Sequence, residues 1–511
     1  MSAAHIGIGS TEARLRVWFW VFVACYCALG LATLTGDHRW GDDWAQYVLH
    51  ARNLATGRPY ADTGYIFNPD VAYLGPTNYP PGLPLLLAPV VALFGVNVVA
   101  LKIVGLACMV LSLPVILRLA VPVTGTPVAM ASVFLLALHP VYWNQRQFIL
   151  SEAPYLLFSM LTLWWCARAT EVQESRNAAL VHGLILGILF FASVISRSIG
   201  IAILPALLVY GWAQRKPVGW FAGLVFSLSL LLWLQSTWLV APPTYASELK
   251  VPTVGLVLAK PVGYLTALAD MFPLPLGFSP VAATGVILAS MAGAWFACTG
   301  APPSARGLTA VREMAARVPF FIWYVASYLS ALFVASVSAD SRLLEPVLPI
   351  LIVLAVYGVH EIAIKRARAR LILIGAVLAA ATYLLALDAS GRFTPGIQMV
   401  NCTECVEMFG YIRDHSAPES VIVFSKPRAM ALFGGRRSWI ASGRYSRDEL
   451  VQRMGRLHAD FIVSGVPGGE FARRFPDGPA VRARIQEPDA QVVFRNSAFV
   501  VVRVGASRPG S

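Results

Sequence analysis

Two adjacent carboxylates, Asp42 and Asp43, stand in Gly41-Asp42-Asp43-Trp44-Ala45-Gln46-Tyr47, directly after an apolar run from Val17 to Leu34. Paired negative charge beside a membrane-length apolar stretch is costly. Like carboxylates repel and one of them tends to keep its proton, a condition suited to proton transfer. A third carboxylate, Glu152, opens another apolar run within Leu150-Ser151-Glu152. Arg58 and Tyr79 lie in the polar segment after the first apolar run, His139, Arg146, Arg197 and Arg342 lie near the ends of other apolar runs, and Lys426 and Arg428 follow a strand-like segment in Phe424-Ser425-Lys426-Pro427-Arg428. Acids and arginines at one membrane surface suit a charged lipid headgroup, because guanidinium pairs with phosphate and a carboxylate can accept the proton of an attacking hydroxyl. Each has a plainer reading. Asp42 and Asp43 could be a solvated loop, Glu152 a carboxylate favoured by a helix N-terminus, the arginines snorkelling side chains, and His139 and Tyr79 interfacial polar groups.

The elements that must position these groups are membrane helices. Of 511 residues, 57% are hydrophobic and 13% charged, with a mean hydropathy of +0.64, which excludes a water-soluble globule for most of the chain. The net charge of +13 falls in short clusters between apolar runs. That is the pattern of cytoplasmic loops, and nucleic acid is not among the expected partners. The first apolar run lacks a basic start and a small-residue cleavage site, so it reads as a retained span.

Spans are expected at Val17 to Leu34, Val98 to Leu119, Val128 to Tyr142, Ala153 to Ala167, Ala178 to Ile195, Ile199 to Trp212, Val218 to Val240, Val281 to Cys298, Val318 to Val337, Leu343 to Glu361 and Leu371 to Leu387. Leu83 to Phe94 is short enough to lie at the interface. If it does not cross, Arg118, Arg168 to Arg176, Arg215-Lys216, Arg306 to Arg317 and Lys365 to Arg370 all share the N-terminal, cytoplasmic side,. This gives about eleven spans, with external loops at 36–97 and 139–152 and an external C-terminus. The stretch Ala241 to Phe278 reads as a further external loop, and Asp340, Arg342 and Glu345 stand at the mouth of the tenth span.

Beyond Leu387 charges and Gly/Pro punctuation appear over a length sufficient for a domain,. The expected division is a membrane module, 1–387, and an extracytoplasmic α/β domain, 388–511. Val406 to Asp414 has helical spacing, Ser420 to Phe424 is a strand, and Ser446-Arg447-Asp448-Glu449 is a capping box opening a helix to His458,. Asp460 to Ser464 reads as a further strand, Gln491 to Phe494 and Phe499 to Val504 form a hairpin about an Asn496-Ser497 turn, and Ala506 to Ser511 is a disordered tail,. Cys402 and Cys405 are the two of seven cysteines in a polar setting. Their C-x-x-C spacing suits a disulfide first, with a redox pair or half a zinc site as alternatives.

The chain resembles the GT-C glycosyltransferases that use polyprenyl-phosphate sugars, the class of the protein O-mannosyltransferases and the lipid A aminoarabinose transferase. The resemblance rests on Gly41-x-Asp43-x-x-x-Tyr47 with Ala51-Arg52-Asn53-Leu54-x-x-Gly57, Tyr79-Pro80-Pro81-Gly82-Leu83-Pro84, Leu150-Ser151-Glu152-x-Pro154, Arg197-x-x-Gly200 and Arg342-Leu343-Leu344-x-Pro346. The family often has Asp-Glu in the first loop. Here Trp44 follows Asp43 and Asp42 precedes it. The resemblance implies an inner-membrane enzyme with a polyprenyl-phosphate-linked sugar donor and a lipid, glycan or protein acceptor. Asp43 would be its base, with Asp42 and Glu152 as further catalytic candidates. Arg197, Arg342, Tyr79, Arg58, His139, Arg146, Lys426 and Arg428 are the candidate substrate-binding groups. Phosphate is already a good leaving group, so inversion needs no second carboxylic acid. Asp42, Asp43 and Glu152 could together hold a divalent cation through oxygen, without a fixed metal spacing to demand it. A secondary transporter, which should show inverted repeats and broken midplane helices, and a non-catalytic scaffold are the competing classes.

Overall fold

A computed structural model of the chain describes residues 3–75, 77–171, 176–215, 217–238, 253–272, 279–299, 308–335, 339–363, 399–488 and 490–504. Its membrane part begins with α1 (Ala3–Ala32), α2 (Asp42–Thr56), α3 (Gly82–Phe94), α4 (Val98–Thr124), α5 (Thr126–Leu138), α6 (Pro140–Asn144), α7 (Glu152–Glu171) and α8 (Arg176–Ser196). It continues with α9 (Ile203–Ala213), α10 (Pro217–Trp238), α11 (Val254–Met271), α12 (Ser279–Cys298), α13 (Leu308–Arg317), α14 (Phe320–Val334), α15 (Ser341–Leu344) and α16 (Leu348–Ala363). Among the described residues, four helices are long and apolar enough to cross a bilayer. The number rises to six when α5 with the Pro140–Gln147 segment, bent by 54°, and α13 with α14, bent by 99°, each count as one span. The expected eleventh span, Leu371 to Leu387, and the tail Ala506 to Ser511 lie outside the described residues.

Apolar side chains have no hydrophobic reason to leave lipid for one another, so helices in a bilayer associate through close backbone packing at small residues. Two such contacts organise the bundle. A Cβ added at Gly187 of α8 would run into the carbonyl of Gly223 on α10, and one at Gly293 of α12 into the carbonyl of Leu354 on α16. Met109, Leu113, Val133, Met160, Tyr155 and Tyr324 belong to the common core of this part.

A second core lies beside it. Trp44, Val48 and Leu49 of α2 and Leu83, Leu87 and Val91 of α3 share one apolar cluster with Phe409 and Ile412 of α17 (Thr403–His415) and with Phe424, Phe461 and Phe499. The sheet beneath them comprises β1 (Tyr65–Ile66), β2 (Val421–Val423), β3 (Arg437–Trp439), β4 (Ala459–Gly465), β5 (Gln491–Arg495) and β6 (Phe499–Arg503), in the order β1-β3-β2-β4-β6-β5. β1, β3, β2 and β4 run parallel, while β6 is antiparallel to both β4 and β5. The edge strand β1 comes from the first polar segment, with Tyr65 opposite Ser438 and Ile66 opposite Trp439. Residues far apart in sequence therefore build one sheet.

Several expectations are met closely. Ser446 and Glu449 form the reciprocal capping box of the helix Arg447–Leu457, the β5–β6 hairpin closes with Asn496 Oδ1 accepting from the amides of Ala498 and Phe499, and Cys402 and Cys405 are disulfide-bonded. Others change. Asp42 to Thr56 is a helix rather than a loop, and the stretch expected as an external loop from Ala241 contains α11. The third expected span breaks at His139, which is extended (ψ 131°) just before Pro140, because a residue preceding proline is pushed out of the helical region.

Candidate active site

Asp43 sits in the first turn of α2, whose start at Gly41 is extended and whose end at Gly57 takes a left-handed conformation (φ 69°). Asn53 ties the end of α2 to the following loop, its amide donating to the carbonyls of Pro59, Tyr60 and Asp62. His50 then steadies the next segment. Its Nδ1 is 2.8 Å from the Tyr60 carbonyl, its Nε2 accepts from the Tyr79 amide at 3.3 Å, and its ring stacks on Tyr60 at 4.0 Å. Tyr79 is thereby aimed at α2, and its hydroxyl donates to Asp43 Oδ1 at 2.7 Å.

The Pro80-Pro81-Gly82 corner has a steric purpose. A Cβ at Gly82 would lie 2.7 Å from the backbone of Ser196, the residue before Arg197. Only glycine lets the start of α3 approach the end of α8 this closely. Gly200 has a similar need, since a Cβ there would meet the Ser193 carbonyl at 2.8 Å. The turn carrying Arg197 is thus packed from both sides.

These elements deliver a continuous chain of charges. Arg342 Nη1 donates to Asp43 Oδ2 at 3.1 Å, while its Nε and Nη2 donate to Glu152 Oε1 at 3.0 and 2.8 Å. Arg197 Nη1 lies 2.8 Å from the same Glu152 oxygen. Beside them Tyr47 donates to Ser151 at 2.9 Å, fixing α2 to the entry of α7. From the C-terminal sheet, Arg428 enters after β2. Its Nη1 is 3.3 Å from Asp43 Oδ1 and donates to Tyr79 Oη at 2.6 Å, its Nη2 donates to the Gly75 carbonyl, and its backbone amide donates to Asp42 Oδ2 at 3.3 Å. The segment after β2 thus lies against Asp42 and Asp43.

The electrostatics separate the acids. Burial alone would raise Asp43, but Arg342, Arg428 and Tyr79 outweigh it and hold this carboxyl below its usual range. Glu152 is likewise lowered, Arg197 and Arg342 overcoming its burial. Asp42 goes the other way. Its burial dominates the pull of Arg428 and Lys426 and raises it. Arg342 is raised by Glu152 and Asp43, and Arg197 by Glu152 against burial. Asp43 is therefore ionised, and three guanidiniums face it and Glu152. Such a site carries spare positive charge for an anion.

Not every candidate from the sequence reaches this cluster. Arg58 is exposed beyond the end of α2. Arg146 bonds Thr33 and the Trp143 carbonyl with its guanidinium 3.7 Å from the Trp143 ring centre. His139 is buried against Phe272 with neither ring nitrogen hydrogen-bonded. Lys426 is half-buried over the Phe475 ring at 4.0 Å, and its burial lowers it despite Asp42 and Asp43. Among the described residues no three His, Cys, Asp or Glu side chains are placed to hold a metal ion. Guanidiniums contact Asp43 and Glu152 where a cation would need their oxygens. Sequence reasoning missed His50 and Tyr60 as supports of Tyr79, although the neighbouring Ala51-Arg52-Asn53 pattern marks the helix that carries His50.

Residues 78–238 match the family described as dolichyl-phosphate-mannose-protein mannosyltransferase. No curated protein matches the sequence. Among solved structures, ArnT from Cupriavidus metallidurans bound to undecaprenyl phosphate aligns at 14% identity and TM-score 0.59, covering 96% of this chain and 98% of that one. The Archaeoglobus fulgidus oligosaccharyltransferase in complex with Zn and sulfate aligns at 14% identity and TM-score 0.57, over 88% of this chain and 68% of that one. The arabinofuranosyltransferase AftD from Mycobacteria aligns at 15% identity and TM-score 0.58, over 97% of this chain and 42% of that one. Residues 78–238 thus match a mannosyltransferase family, and the chain shares its fold with ArnT, the oligosaccharyltransferase and AftD.

Proposed function

We propose that the protein transfers a sugar from a polyprenyl-phosphate donor to a hydroxyl acceptor, a glycolipid, glycan or protein, on the face of the membrane that carries the C-terminal sheet. Asp43 takes the acceptor's proton as that oxygen attacks the anomeric carbon, inverting it, and Arg342 with Arg197 receives the charge that gathers on the departing phosphate. The observation that carries this reading is the fork of Arg342, which holds Asp43 through one nitrogen and Glu152 through two others. The side chain of Arg342 is 42% exposed and that of Asp43 35% exposed, whereas Glu152 is at 3%. The base and one phosphate ligand are thus open to substrate. Their orientation rests on a buried carboxylate beneath.

This reading includes a protein of about eleven spans in a bacterial-type inner membrane, with the N-terminus in the cytoplasm and the C-terminal domain outside. The apolar core that α3 shares with that domain supports a helix lying at the interface on the same side, and the basic clusters support the orientation,. The direct test is whether purified protein in detergent turns over a polyprenyl-phosphate sugar with no ion gradient. Turnover is expected. Transport activity that needs a gradient, with no glycosidic bond formed, would refute the proposal.

A further inference from the structure

Asp43 offers Oδ2 to Arg342 and Oδ1 to Arg428, so the membrane part and the C-terminal sheet meet at this carboxylate. On the sheet side stand cations that the transfer step above leaves unused. Lys426 precedes Arg428 by two residues, so at most about 7 Å of chain separates it from the amide that bonds Asp42,. Its Nζ lies 4.0 Å from the centre of the Phe475 ring, and the guanidinium carbon of Arg474 lies 6.0 Å from the same centre. The two charges are therefore no more than about 10 Å apart, roughly one Debye length at 0.1 M salt, and repel each other,. Arg39 joins them from the loop before α2. It is half-buried, and burial first and the charge of Arg474 second lower it. The ring of Trp40, the next residue, lies 6.4 Å from that of Phe475. Among the described residues, neither Lys426 nor Arg474 touches a carboxylate. Glu470, one turn before Arg474 on the helix Glu470–Arg474, does not pair with it, and Asp42 acts on Lys426 without contact. The shared aromatic ring holds both cations in place but supplies no neutralising charge.

We propose that Lys426 and Arg474, with Arg39 beside them, bind an anionic group of the acceptor, a phosphate or a carboxylate, while the acceptor's hydroxyl sits at Asp43. This rests on the transfer reaction above and adds the charge of its acceptor. In an inverting displacement the attacking oxygen and the departing phosphate lie on opposite faces of the anomeric carbon. Arg342 and Arg197, which bond Asp43 and Glu152 from the membrane side, take the phosphate. The sheet side is left for the acceptor. Cations gathered there raise the local concentration of a negatively charged acceptor and fix its orientation relative to the base. Ser425 Oγ, in the same segment, is buried with no hydrogen-bond partner and is a further polar group for that anion.

The test uses the full-length protein in phosphatidylcholine nanodiscs, with methyl glucoside 6-phosphate as the charged probe and methyl glucoside as its neutral counterpart. The wild type should bind the charged probe about tenfold or more tightly than the neutral one, the worth of a hydrogen bond to a charged group. Lys426→Gln combined with Arg474→Gln should remove that preference, and Lys426→Arg should keep it. Binding of polyprenyl methyl phosphate reports on the donor site and on folding, and it should stay within a few-fold of wild type in every variant. Equal binding of the two glucosides by the wild type overturns the proposal, as does a double variant that retains the preference. Loss of polyprenyl methyl phosphate together with the charged probe, in a variant whose thermal unfolding is unchanged, gives the cations to the donor and overturns it too. So does a wild-type preference abolished by phosphatidylglycerol in the nanodisc, which would give them to the bilayer surface. Polyprenyl methyl phosphate bound by no form, with the charged preference intact, refutes the donor reading and leaves the anion site standing, so the two failures are distinguishable.

Discussion

Asp43 is held by two arginines that differ in almost every respect except charge. Arg428, from the C-terminal sheet, has a fully buried side chain, lies 4.6 and 4.8 Å from the ring centres of Tyr65 and Tyr79, and is bonded to Gly75, Tyr79 and the Asp42–Asp43 pair. Arg342, from the membrane side, is 42% exposed and divides its nitrogens between Asp43 and Glu152. The buried guanidinium is fixed by these partners, and under the proposed function its task is to place α2 and Tyr79. The open one can exchange a carboxylate for a phosphate. In the proposed reaction that exchange would relieve Asp43 of a charge that depresses its basicity, and so would couple donor binding to base activation through one side chain,.

Substitutions at the two arginines should separate these roles. Arg428→Met removes a buried charge and leaves Asp43 to Arg342 alone, a change of a kind that costs roughly 3–5 kcal/mol,. Thermal unfolding of the variant should shift well below that of the wild type, and activity should fall with it. A variant that keeps its Tm and loses only donor affinity would make Arg428 a substrate ligand. Arg342→Lys should behave oppositely. A point charge cannot reproduce the fork, so the donor KM should rise by about tenfold or more with Tm nearly unchanged. Equal losses of stability in both variants would erase the distinction.

Smaller effects probe the supports. Gly82→Ala places a methyl against the Ser196 backbone, and a shift in the turn carrying Arg197 should lower kcat/KM by about tenfold, since small misplacements near the chemistry are expensive. Wild-type kinetics would show that the turn tolerates the displacement. Stability should also fall in acid. Asp43 and Glu152 are depressed in the folded state, so their contribution is present above the unfolded carboxylate range of about 4 and is lost as pH falls through their lower folded values. Asp43→Asn should flatten that acid limb. An unchanged limb would show that Asp43 is not depressed.

Much of this was legible in the sequence where local chemistry decides. The capping box at Ser446, the β5–β6 hairpin and the C-x-x-C pair depend on residues a few positions apart, and they came out as read. Asp42 to Thr56 was less legible, because the helix is buried on several faces by α3 and the C-terminal residues and so shows no simple amphipathic period. β1 is two residues long and gains its identity only from pairing with β3, hundreds of positions away. The site divides the same way. Asp43, Glu152, Arg197 and Arg342 stand out as charges at span ends, and the structure brings them into one chain of contacts. That Arg428 turns inward onto Tyr79, and that His50 orients Tyr79, depend on packing that no spacing encodes.

The central claim is that Asp43 is the base, and Asp43→Asn tests it with the least disturbance because shape is kept while the proton acceptor is removed. Sugar transfer from a polyprenyl-phosphate donor should fall by about two to four orders of magnitude, with donor binding within a few-fold of wild type and Asp42→Asn costing less. Near wild-type transfer by Asp43→Asn, with Asp42→Asn or Glu152→Gln inactive, would contradict the assignment and move the base to a neighbouring carboxylate.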